Sequence, residues 1–351
     1  MSSFLDLSRH FGGIPPATVA SLTTIAEARG RAELYRQQNP SGLGTLRQLA
    51  LIQSTEASNA IENIHAPLAR IEALVAEKTK PMNRSEQEIA GYRDVLVTIH
   101  ANGPSIPFEP RYVEQLHGYL YKYVGTRDAG HWKGLDNEVE EKLPDGTRVV
   151  RFKPVSAVLT PLAMQGLHDE FRRALDAGVY EPLLLCAAYI LDFTVIHPFR
   201  DGNGRMSRLI TLWLLYIVGH DVGRYISLEK LIDASKETYY EALGQSTLGW
   251  HDSEHDLRPW TNYFLGILIA AYGEFEGRTG ALGGRGSKKA LITTFIDSLM
   301  VAEFTIADVR QAAPGVSDGY INKLLGELKK AGKIEPLGTG RGARWRRLAG
   351  D

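Results

Sequence analysis

Most of the chain carries a helical spacing of apolar residues. Between Thr45 and Ile61 they recur at Leu46, Leu49, Ala50, Ala57, Ala60 and Ile61, close to the 3.6-residue period of an amphipathic helix. Similar patterns predict helices over Pro67–Lys78, Ser85–Ala101, Pro110–Lys122 and Val158–Ala177. The segments Glu181–Thr194 and Arg205–Val218 are apolar on nearly all sides, which places them in the middle of a bundle. One region alternates with period two instead. Glu138–Leu143 and Thr147–Lys153 flank Pro144-Asp145-Gly146, where proline presets a turn and glycine accepts positive φ, so a β-hairpin is expected there. A hairpin in a helical protein serves as an edge decoration or as a flap onto which a partner strand adds.

Gly277–Lys289 is glycine-rich and polar and reads as a flexible linker. Beyond it, Ala290–Met300, Thr305–Ala312 and Ser317–Ala331 are expected as short helices, followed by a hairpin-like tail over Lys333–Leu348. That order is the order of a winged helix. Arg341, Arg344, Arg346 and Arg347 would form its wing, and Lys323, Lys329 and Lys330 lie on its third helix. DNA and protein docking both stay open for this module.

Composition narrows the picture little. The 351 residues allow two or three domains, and a formal net charge of −1 predicts neither a general nucleic-acid binder nor an acidic solvating protein. The single Cys186 excludes an internal disulfide and sits in an apolar run, as a small core residue would. The longest apolar stretches fall short of the ~20 residues of a bilayer span, and the N-terminus lacks a signal-peptide pattern. The expectation is a cytoplasmic protein with no membrane partner.

The chemistry concentrates between the two most apolar helices, at His197-Pro198-Phe199-Arg200-Asp201-Gly202-Asn203-Gly204-Arg205, with Arg208 following. Gly202-Asn203-Gly204 can curl its N–H groups toward one anion, and the helix starting there adds its free N–H groups and positive dipole end. Arg205 and Arg208 share a helix face, so both guanidinium groups are expected to face one polyphosphate. Asp201 offers a hard oxygen suited to Mg²⁺, and His197 is the group in the loop that titrates near neutral pH.

These residues reproduce the H-x-F-x-D-G-N-G-R-x-x-R motif, and the chain resembles the Fic (filamentation induced by cAMP) family from about Thr45 to Leu268. The helix–flap–helix order and the aromatics Tyr239, Tyr240 and Trp260 belong to that resemblance. It implies a mainly α Fic-type helical bundle with a small β-hairpin flap, followed here by the winged-helix-like domain. The divisions are 1–104 for an N-terminal helical region, 105–276 for the catalytic core, 277–289 for the linker and 290–351 for the last domain. It further implies a protein adenylyltransferase that moves AMP from ATP, with Mg²⁺, onto a Ser, Thr or Tyr hydroxyl of a target protein or of itself. His197 would be the general base, and Asp201 would hold the metal. Phe199 would anchor the nucleotide-binding loop, while Gly202, Asn203, Gly204, Arg205 and Arg208 would grip the phosphates. Tyr240 would line the adenine pocket, and the segment after His131-Trp132-Lys133-Gly134 would be the target-positioning flap.

Ser58-Asn59-Ala60-Ile61-Glu62-Asn63 is similar to the family's inhibitory motif, [S/T]-x-x-x-E-[G/N]. Ser58 and Glu62 share a helix face, Asn63 tolerates the left-handed conformation that ends a helix, and Glu62 would occupy Arg208. Two other readings stand beside the transferase: removal of AMP by the same site, and a DNA-binding regulator whose Fic domain senses nucleotide. Homodimerisation also stays open.

Overall fold

The structure, a computed structural model, describes residues 3–38, 43–142, 148–283, 292–293, 296, 303–306, 308–309, 318–338 and 344–348. Its helices are α1 Leu7–Phe11, α2 Pro16–Gln38, α3 Leu43–Ile61, α4 Leu68–Val75, α5 Arg84–Asn102, α6 Pro110–Leu120, α7 Thr160–Ala177, α8 Pro182–Ile196, α9 Asn203–Ile217, α10 Leu228–Ala234, α11 Lys236–Thr247, α12 Arg258–Gly283 and α13 Asp318–Lys330. The strands are β1 Val139–Lys142, β2 Arg148–Phe152, β3 Glu303–Thr305, β4 Ile334–Pro336 and β5 Arg344–Arg347.

The centre is the antiparallel pair α8 and α9, whose side chains are buried along nearly their whole lengths. Helices α7, α11 and α12 pack on α8, and α3 and α5 pack on α9. Each Leu, Ile or Phe so buried contributes about 1.5–3 kcal/mol, so the turn between these helices is rigidly mounted. One polar residue in α8, the fully buried Asp192, is satisfied from elsewhere. It accepts from the Ser3 N–H at 2.8 Å, the Ser3 hydroxyl at 2.6 Å and Trp250 Nε1 at 2.7 Å.

Helix α2 carries no strong apolar stripe in sequence, and its buried face at Ile25, Ala28 and Ala32 is made largely of small residues. It lies along α12. That packing explains a correction at the expected linker: α12 continues helical through Gly283, with Phe275 and Thr279 buried. The rest of the expected linker, 284–289, lies outside the described residues.

The hairpin forms as β1 and β2, paired antiparallel, and its expected Pro144–Gly146 turn lies outside the described residues. In the C-terminal part, β3, β5 and β4 form an antiparallel sheet in that order, and α13 supplies Ile321, Leu324 and Leu325 to a small separate core. Thr305, expected to begin a helix, instead ends the strand Glu303–Thr305 that pairs with Arg344–Arg346, while Ile306, Asp308 and Val309 of that expected helix are helical. The two helices expected before α13 fall mostly outside the described residues, as does Arg341. Arg346 pairs with Glu303 at 3.1 Å and Glu335 at 3.5 Å, and Arg344 approaches Glu303 at 3.6 Å. Two of the expected wing cations therefore face acidic cross-strand neighbours. No helix among the described residues is long and apolar enough to cross a membrane.

Burial depresses seven histidines, His100 to about 3, His117, His168, His197, His220 and His255 to about 4, and His10 below its ordinary value. Unfolding returns each toward ~6.5, so the unfolded chain binds more protons below that pH. Stability is expected in full above about pH 6.5 and to fall steadily as pH drops toward 4. Thermal melts between pH 7.5 and 4.5 check this, and a melting temperature constant across that range would contradict it.

Candidate active site

Helix α8 ends at His197, whose backbone is left-handed (φ 50°, ψ 60°) and whose N–H donates to the Phe193 carbonyl at 2.9 Å. Its ring Nδ1 lies 3.3 Å from the Thr194 carbonyl, a contact that places the proton on Nδ1 and leaves Nε2 as the basic nitrogen. Burial, with the nearby Lys133 charge adding to it, pulls His197 down to about 4 against the opposing effects of Thr194, Glu62 and Asp201. The ring is therefore neutral at physiological pH and able to accept a proton.

The loop beyond it is clasped from inside. Phe199 is fully buried, with the His117 ring stacked on it at 3.8 Å and Trp132 at 4.9 Å. Asn203 accepts from the Phe199 N–H at 2.9 Å and donates to the Phe199 carbonyl at 2.7 Å. Its side chain thus closes the loop, and its backbone N–H is the donor it presents at the start of α9. His117 accepts from the Gly130 N–H through Nδ1 at 3.0 Å, so the proton sits on Nε2, which donates to the Asp201 carbonyl at 3.1 Å. Gly202 caps α9 at φ 80°, where a side chain would meet the Tyr121 ring at 3.0 Å.

The first-turn N–H groups of Asn203, Gly204 and Arg205 have no acceptor within α9 and mark the anion end of the helix. The Asp201 side chain is exposed and accepts from the Gly202 N–H at 2.7 Å. No cluster of three or more acidic, histidine or cysteine ligands occurs among the described residues. One carboxylate beside a helix N-terminus, an end that favours anions, fits Mg²⁺, which takes its other ligands from phosphate and water.

The two arginines do not face one site. Arg205, almost fully buried, donates to the Tyr121 hydroxyl at 2.8 Å and pairs with Glu88 at 2.8 Å. Arg208 donates through Nε to the Ser58 hydroxyl, and through Nη2 to the Ser58 carbonyl and the Glu62 carboxylate, each at 2.8 Å. Burial disfavours the Arg208 charge, and Glu62, Tyr239 and Tyr92 outweigh that and raise its pKa. Glu62 also lies over the start of α9: a Cβ on Gly204 would stand 2.2 Å from its Oε1. An acid at the C-terminal end of its own helix is disfavoured by that dipole, and here the opposite end of α9 and Arg208 offset the cost.

The end of α3 is built to hold this contact. The Ile64 N–H donates to Asn59 and the Asn63 N–H to Ala60, both at 2.9 Å, with Asn63 left-handed at φ 60°. This Schellman closure needs glycine or asparagine after Glu62. Lys236 Nζ caps the Ile61 carbonyl at 2.8 Å. The buried Glu229 accepts from Ser54 on α3 at 2.6 Å and from Tyr92 on α5 at 2.9 Å. Asn63→Gly is expected to keep both stability and the Glu62–Arg208 contact. Asn63→Val puts a β-branched residue in the left-handed region at a cost of about 1–2 kcal/mol, read as a lower melting temperature. Equal melting temperatures for the two variants would contradict this account.

Tyr240 packs against Tyr239, with ring centroids 5.1 Å apart, and meets the flap. Arg151 of β2 donates to the Tyr240 carbonyl at 2.7 Å, and Phe152 stacks on His251 at 5.5 Å. The flap is thereby held over α11 beside the loop. Sequence reasoning missed His117, Glu88, Tyr121 and Glu229, which lie far along the chain from the residues they serve.

A model of the Fic/DOC family matches residues 107–215, from just before α6 into α9. Among curated relatives, the ribonucleoside-diphosphate reductase small chain of Ostreid herpesvirus 1 is 47% identical over 60 residues, 15% of this chain and 10% of that protein. That match is too short to carry an argument. The protein adenylyltransferase Fic of Nematostella vectensis is 22% identical over 223 residues, 61% of this chain and 46% of that one. The chain thus spans less than half the length of either curated relative. A solved structure of a Fic family protein from Desulfovibrio desulfuricans superposes with a TM-score of 0.63 at 23% identity, covering 97% of this chain and 98% of that one. At that identity it speaks for the fold alone. Residues 107–215, which carry the motif loop, thus match the Fic/DOC family, and the helical fold around them is similar to that of a solved Fic family protein.

Proposed function

We propose that the chain is a protein adenylyltransferase held off by Glu62. One observation carries this reading: the Glu62 carboxylate occupies the anion end of α9 and binds Arg208, at the place a nucleotide phosphate would take. In the active state a phosphate replaces it. The first-turn N–H groups of α9 hold the polyphosphate, and Arg208, released from Glu62, takes the γ-phosphate. Arg205, tied to Glu88 and Tyr121, lends its charge from the base of the helix rather than as a fork on the phosphate. Asp201 would hold Mg²⁺, which neutralises phosphate charge when bound.

His197 Nε2 then takes the proton of a Ser, Thr or Tyr hydroxyl as its oxygen attacks the α-phosphorus. The new O–P bond forms as the bond to the β-phosphate oxygen breaks, and pyrophosphate leaves. Catalysis here is positioning plus electrostatics. The low basicity of His197 in the free protein is corrected by the substrate, because a bound triphosphate places negative charge beside it and favours the protonated ring.

A second reading rests on the partial exposure of Glu62, whose side chain is 32% exposed. Such a carboxylate can orient a water to remove AMP from a modified hydroxyl. Incubating the chain with ATP, GTP, CTP or UTP, then mapping modified peptides by mass spectrometry, tests the first reading and its nucleotide. Release of AMP from pre-modified protein without forward labelling would favour the second.

A further inference from the structure

We infer that Lys133 is a positioning residue for His197: it fixes the backbone on either side of the histidine and sets a positive charge beside its ring. The inference deepens the adenylyl-transfer reading and rests on His197 being its base. Lys133 lies in the turn leading to the flap and is 3% exposed. Its Nζ donates to the Ile196 carbonyl at 3.1 Å and to Asn137 Oδ1 at 2.8 Å, while its own N–H donates to the Pro198 carbonyl at 2.8 Å. Asn137 Nδ2 then donates to the Phe199 carbonyl at 3.1 Å. The carbonyls immediately before and after His197, and the next one, are therefore all tied to residues 133–137. That frame holds a left-handed backbone which, away from glycine, needs its surroundings to enforce it.

A plain helix cap does not explain the choice of lysine. The Ile196 carbonyl ends α8, and a neutral amide donor would satisfy it without burying a charge, which costs several kcal/mol. Burial pulls the Lys133 pKa down to about 8, leaving it mostly charged at neutral pH. The charge has a use where it stands. It disfavours a second positive charge on His197, against Glu62 and Asp201, which act the other way. It also adds positive potential beside the phosphate end of α9.

The test follows the His197 ring by NMR through a pH titration of the full chain, as wild type, Lys133→Met, Lys133→Gln and Lys133→Arg. Glu62 and Asp201 are common to all four. Removing the charge is expected to raise the His197 midpoint by about one unit in Lys133→Met and Lys133→Gln, and Lys133→Arg to return it close to wild type. Lys133→Gln keeps a neutral donor for Ile196, so it answers the question if Lys133→Met fails to fold. In a Glu62→Gly background, Lys133→Gln should lower kcat about 10- to 100-fold with KM for ATP within about twofold, and Lys133→Arg should recover most of it. A His197 midpoint unmoved in both neutral variants would overturn the inference. The titration needs no turnover, so a failure of the adenylyl-transfer reading would show separately, as absent labelling with the shift intact.

Discussion

Glu62→Gly is expected to transfer AMP about 10- to 100-fold faster than the unaltered chain, to itself or to an added target. The gain follows from what the carboxylate holds. Arg208 is almost fully buried, and its Nη2 is committed to Glu62 and to the Ser58 carbonyl. The same carboxylate lies over Gly204, so an incoming phosphate meets both a taken guanidinium and a like charge at the end of α9. Release of a partly exposed pair worth about 1–3 kcal/mol converts to that range of rate. The fold should survive, since Ser54, Glu229 and Lys236 hold α3 without Glu62. Arg208→Ala should not activate, because productive ATP needs that side chain. Glu62→Gly combined with Arg208→Ala should match Arg208→Ala alone, the non-additivity expected when two effects share one group. Labelling rates for the four proteins decide it, and a Glu62→Gly chain no faster than wild type would remove the inhibitory role.

His197→Ala in the activated background should lose transfer by about 10²–10⁴-fold while ATP binding stays nearly intact. The residue is left-handed, so alanine there costs about 1–2 kcal/mol of stability that has nothing to do with proton transfer. His197→Asn separates the effects, since asparagine tolerates that backbone and cannot serve as the base. Both variants should bind ATP and fail to transfer. Transfer retained by His197→Asn would assign the base elsewhere.

What the sequence made legible was what lay close together in it. The His197–Arg208 loop is contiguous, and a helix end at Asn63 follows from local backbone preference. The central helices announced themselves through runs of apolar residues, and the hairpin through its turn residues. Long-range partners left no such trace. Nothing near Arg205 says that Glu88 and Tyr121 will turn it away from Arg208, and nothing near Asp201 points to His117, which sits on the buried face of an amphipathic helix like any core residue. Helix α2 hid because its buried positions, Thr18, Ile25, Ala28 and Ala32, include a single large apolar residue, and the end of α12 hid because packing against α2 overrides its glycines. Lys133 stood beside a recognised flap signal, but its role depends on two carbonyls, of Ile196 and Pro198, brought to it by the fold.

The central claim is that this site moves AMP and that Glu62 withholds it. The most direct measurement incubates the Glu62→Gly chain and the wild type with Mg²⁺ and ATP labelled on either the α- or the γ-phosphate, then follows label on protein. The account predicts strong labelling of Glu62→Gly from α-labelled ATP, weak labelling of the wild type, and none in either from γ-labelled ATP. Protein label from the γ-phosphate, or no α-label on Glu62→Gly, would contradict it.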